Sequence, residues 1–582
     1  MKRFLTWQLA LAVLIVSAYA PFLGSRFVRT AGDEKVYVSQ AVEMARDGHW
    51  FVQTLQDSPD YYKGPLHYVL LRIGMGTFGN SPWAILYMNL VFLVLGGWAL
   101  GALVRRRFPD WPEGALFLGS AFALSVGVYS HAYASQMEIE LAGLFALALY
   151  LLDGSAGRAG FAFWTVAGIA GWVKAPLHSA FLGVSAVAFW GASGELLKRA
   201  KDPRCWLAAL WGVILCVAGY LPAYFGDRDN FISQYLMKEL VLKSSTHQGP
   251  LTPVVSTFGF YLFPWFFLAT LAYVHLFAGA GKLFTDKVYR RLVSLIVLFC
   301  LPSVLFFLWH PYRFENYNIP VISAVVLLIG ITLRVTRDSA LWSLAYRMAV
   351  RATGLLFLII PAGVTAIVLR LSPLPEWWPS WLLPWLWISS AIAVAGWWYA
   401  AQGKEIRVKH LAWSTLGLYW ALGSFFMVIG EREVVDLRRL LREIPDASTA
   451  RLSYVNLQRN IWSEWGILRF FIGRPVDGMH TPAALKEAFL RGDLILVAAG
   501  EGRETFDRFM SETLPAERFD QYFWKRWRTH GESDSGKPLW KDAWDKRDLT
   551  LFERDYFVLK RRVDHSVISG AGFSPAQIPN QT

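Results

Sequence analysis

The chain has 582 residues, of which 54% are hydrophobic, 16% aromatic and only 17% charged. A soluble protein of this size is less apolar, so the composition indicates a chain whose main solvent is the lipid bilayer. The formal net charge is +13. Because the basic residues lie in short loops between apolar segments, this excess is a topology signal and not the footprint of a nucleic-acid-binding protein.

Segments apolar enough to cross a bilayer follow one another as far as residue 430. They lie near residues 5–24, 81–104, 113–130, 139–153, 205–225, 254–277, 292–309, 317–334, 352–371, 381–400 and 411–430. The apolar stretch 160–191 contains Lys174 and Pro176, which favour a turn at the membrane surface, so it predicts two further helices. The total is about 13 spans.

The first apolar segment also resembles a secretory signal, with Ala18 and Ala20 at the positions of a cleavage site. Pro21 disfavours cleavage and the segment is long enough to span, so we favour an uncleaved helix over a signal peptide. Placing Lys2 and Arg3 in the cytoplasm puts the other basic loops there too, whereas the opposite orientation would export nearly all of them. The loops outside the cytoplasm are then 25–80, 131–138, 174–178, 226–253, 310–316 and 372–379, together with the tail.

The first outer loop, residues 25–80, predicts two helices along the membrane surface, over 34–47 and 65–78. Asp33 and Glu34 stand at the start of the first helix, and as an isolated pair they are best explained as caps. An acid at this depth is also close enough to lipid to meet a substrate whose tail is dissolved in the bilayer.

Other unusual polar residues share this outer face, and each has an ordinary explanation when taken alone. Lys63 could snorkel towards head groups, Glu138 and Glu140 could lie in the head-group zone, and His247 could be a simple loop histidine. The set on this face is Asp33, Glu34, Lys63, Glu138, Glu140, Lys174, His247, Arg313 and Tyr317. Their shared side favours one polar cleft, because acids at the start of a span are costly unless they face a wet cavity.

The tail, residues 431–582, changes character and predicts a small α/β domain outside the membrane. Strands are predicted over 452–457, 493–498 and 549–559, and helices over 464–471, 482–490 and 503–513. The predicted fold class is therefore an α-helical polytopic membrane protein, with a transmembrane domain over 1–430 and a C-terminal extracytoplasmic α/β domain over 431–582.

The order of short motifs along the first 335 residues resembles the polyprenyl-phosphate-dependent glycosyltransferases. These include the aminoarabinose transferases that modify lipid A and the protein O-mannosyltransferases, which share the multi-helix GT-C fold. The motifs are Asp33-Glu34, Tyr62-Lys63-Gly64-Pro65-Leu66, the acid before the span at Glu138, Lys174-Ala175-Pro176, Phe263-Pro264-Trp265 and Tyr317-Asn318-Ile319-Pro320.

The resemblance implies a donor sugar on undecaprenyl phosphate, with Asp33 as the catalytic base and Lys63 and Arg313 contacting the phosphate. Glu138 is expected to orient the acceptor or share the base role, which makes it the second predicted catalytic residue. The predicted substrate-binding residues are Glu34, Tyr62, Lys63, Glu140, Lys174, His247, Arg313 and Tyr317.

Two departures from the family pattern affect the expected chemistry. Gly64 replaces the first proline of the usual Lys-Pro-Pro, and Tyr62 stands where some aminoarabinose transferases have a metal-contacting glutamate. The residues therefore do not support a divalent-metal cofactor or aminoarabinose as the sugar. The three cysteines lie in apolar segments without metal-ligand spacing, so we expect no disulfide and no cysteine chemistry.

The expected protein is a monomeric transferase of a bacterial inner membrane, with its site and C-terminus on the extracytoplasmic side. Its partners would be a polyprenyl-phosphate sugar donor, an acceptor on a lipid A-like glycolipid, glycan or protein, and membrane lipids. One alternative is a secondary transporter or flippase for a sugar or lipid-linked sugar, although the polar residues gather at one surface and not at the midplane. Another is a polymerase or ligase that uses diphosphate-linked oligosaccharides.

Overall fold

The structure is a computed structural model that describes most of the chain. The described residues are 2–23, 33–61, 63–154, 158–242, 252–278, 287–310, 316–370, 378–403, 405–433, 441, 444, 447–455, 465–497, 519–527 and 538–561. Three predicted site residues, Tyr62, His247 and Arg313, lie outside this set, as does the predicted helix over 503–513.

The first half of the bundle begins with a long helix and then the surface helices of the first outer loop. Its elements are α1 (Lys2–Leu23), α2 (Glu34–Arg46), β1 (Thr54–Leu55), β2 (Ser58–Pro59), α3 (Pro65–Phe78), α4 (Pro82–Arg107), α5 (Pro112–Ala123), α6 (Val126–Ala132), α7 (Glu138–Asp153), α8 (Arg158–Val173), α9 (Pro176–Ala192), α10 (Leu196–Ala200), α11 (Pro203–Ala218), α12 (Leu221–Gly226), α13 (Arg228–Asn230) and a π-helix, Phe231–Leu242. Proline opens six of these helices at the first or second position, where its missing N–H costs nothing.

The second half contains longer apolar helices. Its elements are α14 (Thr252–Phe258), a 3-10 turn (Phe260–Leu262), α15 (Phe266–Ala278), α16 (Lys287–Trp309), a 3-10 turn (Ile319–Val321), α17 (Ile322–Val335), α18 (Ala340–Leu356), α19 (Ile359–Arg370), α20 (Leu382–Ala400) and α21 (Val408–Glu433). The helices predicted over 34–47 and 65–78 are present as α2 and α3, and the predicted division of 160–191 at Lys174–Pro176 is confirmed by α8 and α9. The position of α2 and α3 along the membrane surface stays a prediction.

Two predicted spans are wrong as single helices. The segment 113–130 is broken into α5 and α6, which are bent by 56°. The amide of Val126 leaves the helical ladder and donates to the carbonyl of Phe263 at 2.7 Å, so the break is satisfied by a neighbouring segment. That segment belongs to the second wrong span, 254–277, in which the first helix ends at Phe258, a 3-10 turn follows over Phe260–Leu262, and the next helix begins at Phe266.

The helices in the structure that are long and apolar enough to cross a membrane are fewer than the predicted spans. Among the described residues, five helices are long and apolar enough to cross a membrane, or six if the bent pair α5–α6 is one span. Five shorter apolar helices of 10–17 residues accompany them. The total of about 13 spans stays a prediction.

The tail contains a five-stranded sheet with helices. Its elements are β3 (Leu452–Val455), α22 (Trp465–Ile472), β4 (Val476–Met479), α23 (Pro482–Arg491), β5 (Leu494–Val497), β6 (Phe519–Trp527), α24 (Leu539–Lys546) and β7 (Glu553–Arg561). The strand order is β4-β3-β5-β7-β6. Strands β4, β3 and β5 are parallel to one another, and β7 is antiparallel to both of its neighbours, β5 and β6. The strands over 452–457 and 493–498 were predicted, whereas β4 and β6 were not, and residues 549–552 are a 3-10 turn before β7.

Helix α22 of the tail packs against surface helix α2 of the first outer loop. Phe470 of α22 is buried in the main apolar core that also includes Tyr37, Ala41 and Met44 of α2. Helix α2 also packs against α3. Within the described residues, α2 therefore contacts both α3 and the tail helix α22.

Candidate active site

The predicted base, Asp33, lies at the N-terminus of α2. Its side chain is half-buried, and its carboxylate accepts a hydrogen bond of 3.0 Å from the hydroxyl of Tyr37, one turn further along. Within the described part of the chain the Asp33 side chain makes no capping hydrogen bond to the first turn of α2. Capping, the ordinary explanation for this acid, is therefore not its role in the structure.

Glu34 ties α2 to the loop that precedes α7. Its fully buried carboxylate accepts a hydrogen bond of 2.5 Å from the amide of Ser135. The hydroxyl of Ser135 lies 3.4 Å from Nε2 of His67, which is on α3. Because Ser135 is three residues before Glu138, this link brings the first outer loop to the start of α7.

His67 and Glu140 form a second buried link between α3 and α7. The Nδ1 atom of His67 lies 2.6 Å from Oε1 of Glu140, and both side chains are fully buried. The ring of Tyr37 stands edge-on to the His67 ring, with centroids 5.2 Å apart. His67 thus contacts Glu140 of α7 and Tyr37 of α2. Tyr37 in turn donates a hydrogen bond to Asp33.

Glu138 is the centre of a buried ionic cluster. Its Oε1 atom lies 2.5 Å from Nζ of Lys174 and accepts a hydrogen bond of 2.7 Å from the Asn316 side chain. The Lys174 ammonium also stands over the ring of Tyr317, 4.3 Å from its centroid. This arrangement joins α7, the α8–α9 turn and the segment before α17, which are distant in sequence.

The backbone fixes Lys63 beside Lys174. The amide of Gly64 donates to the carbonyl of Lys174 at 3.2 Å, and Gln53 donates to the carbonyl of Lys63 at 2.8 Å. A Cβ at Gly64 would lie only 2.2 Å from the carbonyl oxygen of Trp172. The glycine that departs from the Lys-Pro-Pro pattern is therefore required by this close backbone contact.

Seven of the predicted site residues are brought together by these contacts at one end of the bundle. They are Asp33, Glu34, Lys63, Glu138, Glu140, Lys174 and Tyr317. Sequence reasoning missed His67, Ser135 and Asn316, which connect the predicted residues to one another. The sequence signal for these residues was weak. His67 is a polar residue two positions after Pro65 of the Tyr62–Leu66 motif, and Asn316 directly precedes Tyr317 of the Tyr317–Pro320 motif.

The cluster places a half-buried carboxylate near buried charges of both signs. Asp33 can accept a proton from a hydroxyl, while Lys63 and Lys174 supply positive potential. Across the described residues no three His, Cys, Asp or Glu side chains converge as ligands for a metal ion.

No family sequence model and no curated protein sequence matches the chain. Among solved structures, it is similar to ArnT from Cupriavidus metallidurans bound to undecaprenyl phosphate, with a TM-score of 0.65 and 16% identity over 96% of this chain and 98% of that one. The apo state of the same protein gives 0.64 and 16%, over 95% and 96%. The arabinosyltransferase EmbB from Mycobacterium smegmatis gives only 0.39 and 14%, over 80% and 43%.

The chain therefore has the GT-C fold of membrane glycosyltransferases. More particularly, its fold is that of ArnT over almost the full length of both chains, including the tail. At 16% identity this likeness concerns the architecture, so the activity has to be argued from the cluster around Asp33.

Proposed function

We propose that the chain is an integral-membrane glycosyltransferase that takes its sugar from a polyprenyl (undecaprenyl) phosphate donor. The acceptor is a hydroxyl or phosphate of a lipid A-like glycolipid, a glycan or a protein, at the extracytoplasmic face of a bacterial inner membrane. The observation that carries this proposal is the buried Glu138–Lys174 pair beside the backbone of Lys63, on a helix that His67 and Tyr37 link to Asp33, in an ArnT-like bundle.

The proposed reaction on a hydroxyl acceptor is a single in-line displacement with inversion. The acceptor oxygen forms a bond to the anomeric carbon as the bond from that carbon to the donor phosphate oxygen breaks. Asp33 takes the acceptor proton, and the polyprenyl phosphate leaves with the electron pair as an anion that needs no general acid. Lys63, Lys174 and Arg313 stabilise the negative charge that develops on it.

Glu138 and Lys174 are proposed to act as a unit. Because their groups lie 2.5 Å apart and Asn316 donates to the same carboxylate oxygen, the orientation of the Glu138 side chain is fixed. We propose that it orients the acceptor, while Asp33 removes the proton. Glu34 and Glu140 are engaged by Ser135 and His67, so their proposed contribution is to hold α2, α3 and α7 in register around the substrate.

The test is donor consumption by purified protein in detergent. The protein is incubated with an undecaprenyl phosphate sugar and candidate acceptors, and the lipid products are followed by mass spectrometry. Release of undecaprenyl phosphate together with a glycosylated acceptor supports the proposal. A transporter or flippase would leave the donor intact in detergent, and a diphosphate-dependent polymerase would consume only diphosphate-linked donors.

A further inference from the structure

A charged cavity lies at the end of α7 opposite to Glu138. Helix α7 begins at Glu138 in the candidate active site and ends at Asp153, which lines this cavity. The helix has 16 residues and so spans about 24 Å. The cavity therefore lies most of a bilayer thickness away from Glu138, at the face that the positive-inside pattern assigns to the cytoplasm.

The cavity has the size and mixed lining of a ligand site. Its volume is about 990 Å³, and it is enclosed by α8, the end of α9, α10 and the start of α11. The aromatic rings of Trp164 and Trp190 form an apolar wall. Five basic and three acidic side chains complete the lining.

The acidic side chains are already engaged by partners. Asp153 is paired with Arg107 and Arg106, which come from α4. Glu195 is paired with Arg199 at 2.6 Å and with Arg291 at 2.7 Å. These pairs neutralise the carboxylates and two of the lining guanidinium groups.

The third acid, Asp202, caps α11 by accepting a hydrogen bond of 3.0 Å from the amide of Arg204. Three exposed cations remain, Lys198, Lys201 and Arg204, and within the described residues no ion pair engages their side chains. The cavity therefore carries excess positive charge, which attracts anionic ligands.

The surface next to these cations is suited to acyl chains. Helix α11 continues from the cavity with an exposed apolar face that includes Leu207, Leu210 and Ile214. Trp206, which is 64% exposed, donates its indole N–H to the carbonyl of Ala200 at 2.8 Å and so marks the level of the membrane interface. A ligand with an anionic head and apolar tails fits both surfaces at once.

We propose that this cavity binds an anionic phospholipid of the cytoplasmic leaflet. Lys198, Lys201 and Arg204 hold the headgroup phosphate, and the acyl chains lie along Trp164 and the exposed face of α11. This site is separate from the proposed donor site, because the two lie at opposite ends of α7.

The first experiment uses a native reporter in the unmodified protein. Cys205 lines the cavity and is partly exposed, whereas Cys300 is partly exposed in α16 and Cys216 is buried. Phosphatidylglycerol added to the detergent-purified protein is expected to slow maleimide labelling of Cys205 but not of Cys300, as read by peptide mass spectrometry. Equal protection by phosphatidylcholine, or none by phosphatidylglycerol, would overturn the proposal.

The second experiment counts bound phosphatidylglycerol by native mass spectrometry. The triple variant K198Q/K201Q/R204Q is compared with R105Q/R337Q/K409Q, which removes the same charge at the same predicted face outside this cavity. Each cation near an anionic lipid contributes about fivefold in affinity, so the cavity variant is expected to lose about 100-fold and the control less than about threefold.

Three results would contradict the lipid assignment. The two variants could lose affinity equally, which would make the effect one of net charge. The cavity variant could bind like the wild type. Inorganic phosphate alone at millimolar concentration could protect Cys205 as well as the lipid does, which would define a small-anion site.

Discussion

The pair formed by Glu138 and Lys174 offers a direct test of how the candidate site is held together. The Glu138 side chain is 4% exposed and that of Lys174 is 12% exposed, so the charges are largely removed from water. Breaking a buried pair by removing one partner costs about 3–5 kcal/mol, because the remaining charge is left uncompensated. Asn316 still donates to Glu138 at 2.7 Å, so we expect K174M to cost about 3 kcal/mol.

The sharper expectation concerns the double variant. In E138Q/K174M neither charge remains, so the double variant should be more stable than K174M alone by about 1–2 kcal/mol. The assay is unfolding by SDS titration, followed by tryptophan fluorescence, with all four members of the cycle in one detergent. R337M is the matched control, because it breaks the exposed Arg337–Glu405 pair and should cost at most about 1 kcal/mol.

Two outcomes would refute this reasoning. If K174M costs no more than R337M, the Glu138–Lys174 contact does not hold the site together. If the two substitutions add, the lysine and glutamate stabilise the fold independently of each other, and the cluster is not a unit.

Three further predictions concern the loop and helices around the site. G64A should fold in low yield and cost about 1–3 kcal/mol by overpacking against a neighbouring backbone carbonyl, whereas G76A, which meets no atom within 4 Å, should be neutral or slightly stabilising in the same thermal melt. H67F should lower the free energy of unfolding by about 3 kcal/mol, because it leaves Glu140 buried without its partner. The double variant H67F/E140L should regain most of that stability, and strictly additive effects of the two substitutions would argue against the pair. Burial raises the pKa of Glu43 in α2, so the folded protein binds a proton at Glu43 more tightly than the unfolded chain does. The wild type should therefore gain stability relative to E43Q as the pH falls from 7 towards 4.5, and parallel pH profiles of stability would contradict this.

The sequence predicts that several polar residues share one face of the membrane. The positive-inside pattern and the position of polar residues at the ends of apolar segments assign Asp33, Lys63, Glu138 and Lys174 to that face, and this assignment stays a prediction. The structure connects Lys63, Glu138 and Lys174 through direct contacts, and it links Asp33 to the same helix α7 through Tyr37, His67 and Glu140. Their roles in catalysis and binding remain predictions.

The partners within the cluster could not be predicted. Glu34 and Glu140 were predicted to contact substrate, yet the structure gives them Ser135 and His67 as protein partners. Such pairings depend on the rotation and depth of three helices, which apolar periodicity leaves undetermined. His67 in particular lies within an apolar stretch, where a polar residue shows only that some partner exists.

The predicted boundaries of helices and strands were wrong where contacts with distant segments override the local preference of the sequence. The break between α5 and α6 has no proline, and it forms because the carbonyl of Phe263 accepts the amide of Val126. Strands β4 and β6 were missed because β4 contains Asp477 and Gly478, which are poor strand formers, and β6 carries many polar residues. Both strands are stabilised by pairing with β3 and β7, which is not visible in their own sequences.

The central claim is that Asp33 removes the acceptor proton during transfer of a sugar from polyprenyl phosphate. The most direct measurement is single-turnover consumption of an undecaprenyl phosphate sugar by D33N, which keeps the shape of the side chain but removes its basicity. D47N at the other end of α2 is the matched control. We predict that D33N loses at least about 100-fold in rate while its melting temperature and donor binding are unchanged, and that D47N turns over like the wild type. Wild-type turnover by folded D33N would contradict the account.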